Sequence, residues 1–565
     1  MKDIRRTILW VIFAFSLVML WDQWQVHNGR KATFFPGAPT PATQASAPAS
    51  AVPPAGALPG AVAAAVPGAA TAAAPASAAP TAPAAPRERV EVSTDVLKLV
   101  FDTEGGSIVR SEFRKFDETG HPGQPFVLLD DSAARTYQAQ SGLIGGAFPT
   151  HKTAMRFSGE RTLADGANEL VLRFESPEQG GVRLVKTYTL KRGDYVARVR
   201  HEVVNAGGEP VSPQLYVQLV RDGNPAPGGT SFYSTFTGPA FYTDAKKFQK
   251  VEFADIDKGK AEFVTQAPDG WVAMVQHYFA SAWLLPPGMA HDNFARKLDN
   301  ALYAAGMIAP MGAIAPGASQ AVETRLFIGP QDEKVLEGIA PGLELVKDYG
   351  YFTILAKPLY WLLDKLHGVL GNWGWAIVAL VVLLKIAFYW LNAKAYASMA
   401  KMKSINPRIQ EMRERLKDSP QQMQQEMMRI YREEKVNPMG GCLPIMIQIP
   451  VFIALYWVLL SSVEMRGAPW ILWIKDLSVK DPYFILPVVM TLSTLLQTAL
   501  NPLPPDPMQA KMMWIMPLVF SVMFFLFPAG LVLYWVTNNI LTIAQQWVIN
   551  TRMGVPPQFN LPKFK

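Results

Sequence analysis

A lysine stands inside an otherwise apolar stretch near the C-terminal end of this 565-residue chain, in Val381-Val-Leu-Leu-Lys385-Ile-Ala-Phe388. A cation at the centre of a membrane-spanning helix costs ~2.5–3.5 kcal/mol on insertion scales, which makes Lys385 a functional candidate by default. The competing reading is snorkelling: Lys385 lies about two turns before Leu391, where the stretch ends, so its ammonium is within reach of lipid headgroups. No Asp or Glu occurs in this stretch or in the apolar stretches that follow it, so a buried ion pair is not expected. Candidate polar lining in those stretches includes Gln448, Ser493, Thr494, Gln497, Asn538, Asn539, Thr542 and Gln545. Singly, each suits a hydrogen bond between helices. Together with Lys385 they outline a hydrated groove.

Other chemistry is absent from the sequence. It has no phosphate-binding loop, metal-ligand cluster or nucleophile constellation, and its seven histidines are scattered. Without intramembrane acids a proton-coupled pump is disfavoured. No cofactor and no enzymatic reaction are expected. The single cysteine, Cys442, rules out an internal disulfide and suits a small packing residue. The net charge of +7 has no basic stripe with interleaved aromatics behind it in the soluble part, so nucleic acid is not implied.

Helices must carry these residues. Five stretches read as membrane spans: 373–391, 443–463, 483–500, 513–527 and 531–549. Each approaches the ~20 residues that cross a hydrocarbon core, the fourth being short. A sixth, 8–21, follows Lys2, Arg5 and Arg6 and precedes Trp21-Asp22-Gln23-Trp24 rather than a small-residue cleavage site, so 1–28 reads as an uncleaved anchor. Basic residues set the orientation. Lys394, Lys401, Lys403, Arg408, Arg413, Arg415, Lys417, Arg429, Arg432 and Lys435 crowd one loop, which is expected in the cytoplasm. Both termini then fall inside, and the part between the anchor and the second span outside.

That outer part has three segments. Residues 29–88 are largely Ala, Pro, Gly, Ser and Thr, too poor in apolar surface to offset ordering, and read as a disordered tether. Residues 89–335 carry period-two alternation, as in Glu169-Leu-Val-Leu-Arg-Phe174, broken by Gly, Asn, Asp and Pro, and predict an antiparallel β-sandwich. Residues 336–371 read as an amphipathic helix in the membrane interface, with Leu355, Leu359, Leu362, Leu363 and Leu366 on one face. The core is expected over 372–550 and a cytoplasmic tail over 551–565. Within the core, 393–440 predicts a helical hairpin. Met399, Met402, Ile405, Ile409, Met412 and Leu416 recur at helical spacing, as do Met423, Met427 and Ile430 after Asp418-Ser-Pro420, and Pro407 is expected to kink the first helix. These Met faces either pack on each other or offer an adaptable surface for apolar segments. The expected fold is thus a polytopic α-helical membrane protein with six transmembrane helices, a large periplasmic antiparallel β-sandwich and a cytoplasmic helical hairpin.

Several ordered motifs in the C-terminal part resemble the YidC/Oxa/Alb membrane protein insertases. They include Gly371-Asn-Trp-Gly374, Glu434-Lys-Val-Asn-Pro-Met-Gly-Gly-Cys442, Asp481-Pro-Tyr483, Asp506-Pro-Met508 and Phe527-Pro-Ala-Gly-Leu-Val-Leu-Tyr534. The outer β domain and anchor resemble the Gram-negative form, whose periplasmic domain is a β-supersandwich. The resemblance implies a multi-pass protein of the bacterial inner membrane that inserts nascent membrane proteins and helps them fold, alone or with the Sec translocon. Ribosome, signal recognition pathway and lipid bilayer are implied as partners. It also implies roles: a groove with Lys385, Gln448, Gln497, Trp535, Asn538, Asn539 and Thr542; a substrate slide with Met446, Pro450, Met516, Phe520 and Phe524; and a hairpin contact with Met412, Met423 and Met427. The family's groove cation is usually Arg, and Trp535 stands where many members have Tyr. A small-molecule transporter or channel and a tethered periplasmic carbohydrate enzyme are the rivals. Missing repeat symmetry disfavours the first, and fold analogy alone does not support the second.

Overall fold

The computed structural model describes residues 87–226, 235–299, 301–416, 419–434, 443–501, 507–552, 554 and 559. The expected anchor, nearly all of the tether, Cys442 and most of the tail lie outside these residues. The described chain divides into two compact units, one ending at Lys347 and the other starting at Asp348.

The first unit is a β-sandwich. Among the described residues one antiparallel sheet has ten strands, ordered along its main path Arg89–Ser93, Leu97–Asp102, Ser107–Glu118, Arg135–Ile144, Gln214–Asp222, Leu302–Pro310, His291–Asp299 and Gln266–Ala267. The second has nine, from Lys247–Lys250 through Gly238–Thr243, Trp271–Val275, Phe279–Leu284, Ser319–Pro330, Val196–Asn205, Val182–Lys191 and Glu169–Glu175 to Arg156–Gly159. Alternation places each face: in Glu169–Glu175, Leu170, Leu172 and Phe174 are buried while Val171 and Arg173 are exposed. The 90–101 stretch is split into two strands because the Thr94 hydroxyl accepts the Val96 and Leu97 N–H groups, forming a turn. The sheets are joined through the core by the Tyr137 hydroxyl at 2.7 Å from Ser281 Oγ and by Trp283 Nε1 donating to Gln218 O. Lys186 is fully buried between them, its ammonium donating to the carbonyls of Gly105 at 2.6 Å and Ser141 at 2.7 Å.

The expected interfacial helix over 336–371 starts later than predicted. Leu336, Leu343 and Val346 instead complete a cluster with Trp271, Tyr242 and Phe327 of the β unit. A short helix, Glu333–Ile339, carries Leu336, and Gly342 at φ +73° turns the chain where a Cβ would meet the Tyr242 ring.

The second unit is helical: α1 (Thr353–Leu370), α2 (Trp373–Ala387), α3 (Tyr389–Arg415), α4 (Pro420–Glu433), α5 (Leu443–Ser461), α6 (Ile485–Leu500), α7 (Pro507–Phe524) and α8 (Ala529–Arg552). α8 is central and packs on α2, α3, α5 and α6. On α1 the buried residues are Ala356, Tyr360 and Leu363; of the predicted Leu face Leu363 is buried, Leu359, Leu362 and Leu366 are half-buried and Leu355 is exposed, as are Ile354 and Trp361. Both sides of α1 are apolar, and the bond from the Tyr360 hydroxyl to Glu464, 2.6 Å, favours the side that faces inward.

Among the described residues no single helix is long and apolar enough to cross a membrane alone. The expected straight span 373–391 is broken at Phe388, and α2 with Tyr389–Ser398 passes only as a pair bent by 62°. α6, at 16 residues, rises ~24 Å against a hydrocarbon core of ~30 Å. α8 is long enough, but Asn538, Asn539, Gln545 and Gln546 lower its hydropathy. Outward faces are strongly apolar: Ile386, Trp390, Leu492, Val519, Phe520 and Val522 are all more than half exposed. An apolar surface of that extent marks a face made for contact with lipid or protein.

α3 and α4 form the hairpin. Pro407 lies inside α3 and does not end it. Ile405, Ile409, Met412 and Ile430 are buried together, with Leu416, Met423, Met427 and Tyr431 packed against them. Met412, Met423 and Met427 therefore face the hairpin's own seam, and Met428 is the methionine left exposed on α4. Arg408 ties the two helices from outside, donating to Glu433 at 2.9 Å and Glu434 at 2.8 Å.

Candidate functional site

Asn372 starts α2 by accepting the Trp375 N–H, and the apolar face Trp373, Ala376, Ile377, Leu380 and Val381 seats the helix in the bundle. That face carries Lys385 inward at the last turn, where it is 8% exposed, while its neighbour Ile386 is 65% exposed. The ammonium turns into the bundle rather than out to headgroups. It donates to Thr542 Oγ1 at 2.7 Å, and Thr542 Oγ1 in turn donates to Asn538 O at 2.6 Å. Asn538 Oδ1 accepts from Gln448 Nε2 at 3.2 Å. An ammonium has three N–H donors, and no carboxylate pairs with this one among the described residues.

Beside these bonds lies a small recess with a volume of about 30 Å³. Val381, Leu384, Lys385, Phe388, Leu391, Asn392, Gln448, Val451, Tyr534 and Asn538 line it, drawn from α2, α3, α5 and α8. Its chemistry is a cation and three amides on an apolar wall. Such a wall can donate hydrogen bonds to carboxylates and backbone carbonyls. No set of His, Cys, Asp or Glu suited to a metal exists among the described residues.

The fold sorts the predicted groove residues. Lys385, Gln448, Asn538 and Thr542 are brought together. Asn539, one residue beyond Asn538, is turned by ~100° on the helix and donates to Ser493 Oγ at 3.1 Å and Thr494 Oγ1 at 2.8 Å, clasping α8 to α6. Gln497 is half-buried on α6 and does not line the recess. Trp535 also lies off it, with its ring edge-on to Phe452 at 4.5 Å. Of the predicted slide, Met516 and Phe520 are open on α7, at 42% and 52% exposed. Pro450 is half-buried on α5. Phe524, by contrast, is 5% exposed, packed 4.8 Å from Trp535 and edge-on to Phe527. The side chain of Met446 lies outside the described residues. Sequence reasoning missed Tyr534, Phe388 and Asn392 as lining residues. Asn392 comes seven residues after Lys385, ~two helical turns, and that spacing was the signal available.

Two family models match the chain. Residues 89–362 match the family model described as YidC periplasmic domain, and 365–555 match the one described as 60Kd inner membrane protein. The chain is 58% identical over 558 residues to membrane protein insertase YidC of Cupriavidus necator, covering 98% of both chains. It is 56% identical to the protein of the same name from Burkholderia multivorans, covering 98% of this chain and 99% of that one. Among solved structures, an active YidC insertase crystal structure aligns with a TM-score of 0.36 at 18% identity, covering 81% of this chain and 91% of that one. A galactose mutarotase related enzyme from Lactobacillus acidophilus aligns with 43% of this chain and 97% of its own, with a TM-score of 0.30 at 10% identity.

Proposed function

This chain belongs to the YidC family of membrane protein insertases, and from that premise we propose that it inserts nascent membrane proteins by passing their polar flanks through the Lys385 recess. The observation that carries this reading is a lone buried cation, without a carboxylate partner among the described residues, on the wall of a recess between α2, α3, α5 and α8. A guest carboxylate entering there exchanges water for Lys385 and the amides of Gln448 and Asn538, which reduces the cost of moving it across. The apolar part of the guest leaves along the exposed faces of α5 and α7. Short apolar helices suit this work, because a bilayer thins around spans shorter than itself. In this reading the chain is a six-span protein of the bacterial inner membrane. Its termini and hairpin are cytoplasmic, its β unit is periplasmic, and it works alone or beside the Sec translocon on chains delivered by the ribosome and the signal recognition pathway.

The test is site-specific photocrosslinking from Gln448 and Asn538 to a stalled nascent chain in membranes. Crosslinks from both positions to the polar flank are expected, with none from Asn539, which faces α6. Equal crosslinking from all three, or from Asn539 alone, would refute the recess as the route.

A further inference from the structure

A helix bends sharply at a proline, at small residues, or where a side chain enters its hydrogen-bond ladder. The 62° break between α2 and α3 has neither proline nor glycine, its residues being Lys385-Ile-Ala-Phe-Tyr389. It does have an inserted side chain. The carbonyl of Lys385, which the Tyr389 N–H would take in an unbroken helix, accepts instead from Gln545 Nε2 of α8 at 3.1 Å. The same amide's Oε1 accepts from Asn392 Nδ2 at 3.2 Å, on the far side of the break. One glutamine thus bridges the last turn of α2 and the first turn of α3. Thr542, one turn earlier on α8, holds the Lys385 ammonium. α8 therefore grips Lys385 by its main chain and its side chain together, and Asn392 serves both the bridge and the recess wall.

We propose that Gln545 is a positioning residue: its amide, bridged to Asn392, pins the break at Phe388 and so sets both the place of the Lys385 ammonium in the recess and the direction in which the α3–α4 hairpin leaves the bundle. This rests on the insertase reading above for its functional consequence, but the bend itself does not depend on it. A carbonyl freed inside a packed bundle regains its bond most directly from its own helix, so removing the Gln545 donor drives the break back toward a continuous helix, in which Tyr389 supplies the missing bond. Straightening swings the hairpin and draws Lys385 off Thr542.

The experiment uses the full chain in lipid nanodiscs with Cys442→Ser and spin labels at Leu383→Cys on α2 and Glu411→Cys on α3, read by double electron–electron resonance. Gln545→Leu and Asn392→Leu are each expected to shift or broaden the distance distribution in the same way. The double variant is expected to go no further than either single, because each breaks the same bridge. Insertion of acidic-tailed substrates relative to neutral-tailed ones is expected to fall about fivefold in each single variant, the scale of one lost hydrogen bond. An unchanged distribution in both variants, or effects that add in the double variant, overturns the proposal. Because Asn392→Leu breaks the bridge from the opposite side, a folding failure of Gln545→Leu alone leaves the proposal open to test. If the distances shift but insertion of the two substrate classes falls equally, the charge-recess reading fails and the bridge stands.

Discussion

Replacing Lys385 separates attraction by charge from mere packing, and the recess sets how large the effect is. A carboxylate that reaches the mouth of the recess lies roughly 4–8 Å from Nζ and gains ~2–4 kcal/mol at an effective dielectric of ~20. In a fully hydrated recess the same pair gains only ~0.5–1 kcal/mol. Lys385→Met is therefore expected to slow insertion of a substrate with one acidic residue in its translocated tail by roughly 30- to 1,000-fold if the recess is dry, and by about two- to fivefold if it is wet. Lys385→Glu turns attraction into repulsion and roughly doubles either free-energy change. Lys385→Arg keeps the charge and is expected to insert within about threefold of the parent, its planar fork fitting a carboxylate at least as well. Tails without acids are expected to insert alike with all four proteins. The assay is protease protection of the tail after synthesis in the presence of proteoliposomes, at matched protein abundance. Equal insertion of acidic tails by the Glu and Arg variants would remove the charge from the mechanism. A loss by Met equal for acidic and neutral tails would assign Lys385 to packing alone.

Three further outcomes follow from the same geometry. Asp481, 1% exposed, accepts from Trp473 Nε1 at 3.0 Å and from the N–H groups of Tyr483 at 3.0 Å and Leu486 at 2.7 Å, tying the loop before α6 to that helix; Asp481→Ala leaves these donors without their acceptor and is expected to cost ~2–4 kcal/mol in denaturant unfolding of the helical unit. Asn539→Leu removes two bonds between α8 and α6 and is expected to cost ~1–2 kcal/mol, with acidic- and neutral-tailed insertion reduced in the same proportion. In the β unit burial pulls the Lys186 ammonium down to about 7 against its two carbonyl acceptors, and pulls His201 down to about 3 and His151 to about 4. The unfolded chain then binds more protons than the folded one from about pH 3 to 6.5 through the histidines and from about pH 7 to 10.5 through Lys186, so stability rises with pH across both windows and is lost as pH falls through them. Denaturant unfolding of the full chain at graded pH, read from the β unit, measures this; Lys186→Met is expected to flatten the upper window and, because the Lys186 charge helps depress both histidines, to narrow the lower one, and an unchanged upper slope would refute the assignment.

Much of the fold was legible because periodicity reports burial. Alternation in Glu169–Phe174 marked a strand whose end the structure moves by a single residue. The Ile405, Ile409, Met412 spacing marked the hairpin seam. Boundaries were read less well. Leu336 and Leu343 carry the same apolar signal whether they enter a membrane interface or a β core, and only the cluster around Trp271 decides between them. With apolar residues on both sides of α1, periodicity cannot say which side meets the bundle.

The site divides along the same line. Sequence alone determined that a cation sits among apolar residues with amides and hydroxyls on neighbouring helices, since residue type and a span's hydropathy are local properties. Sequence also carried the family, through long ordered motifs. Tertiary structure decided which of those polar residues meet. Asn538 and Asn539 are adjacent in the chain and chemically identical, yet the helical rotation between them sends one to Gln448 and the recess and the other to Ser493 and Thr494. Structure also placed Phe524 inside and Phe520 outside on one helix. Above all it broke the span after Lys385: no residue at the break is a helix breaker, and the Gln545 amide that takes the Lys385 carbonyl comes from a helix more than 150 residues later in the chain. A bond between two residues so far apart leaves no mark in the local pattern of either, so only the packing of α8 against α2 reveals it.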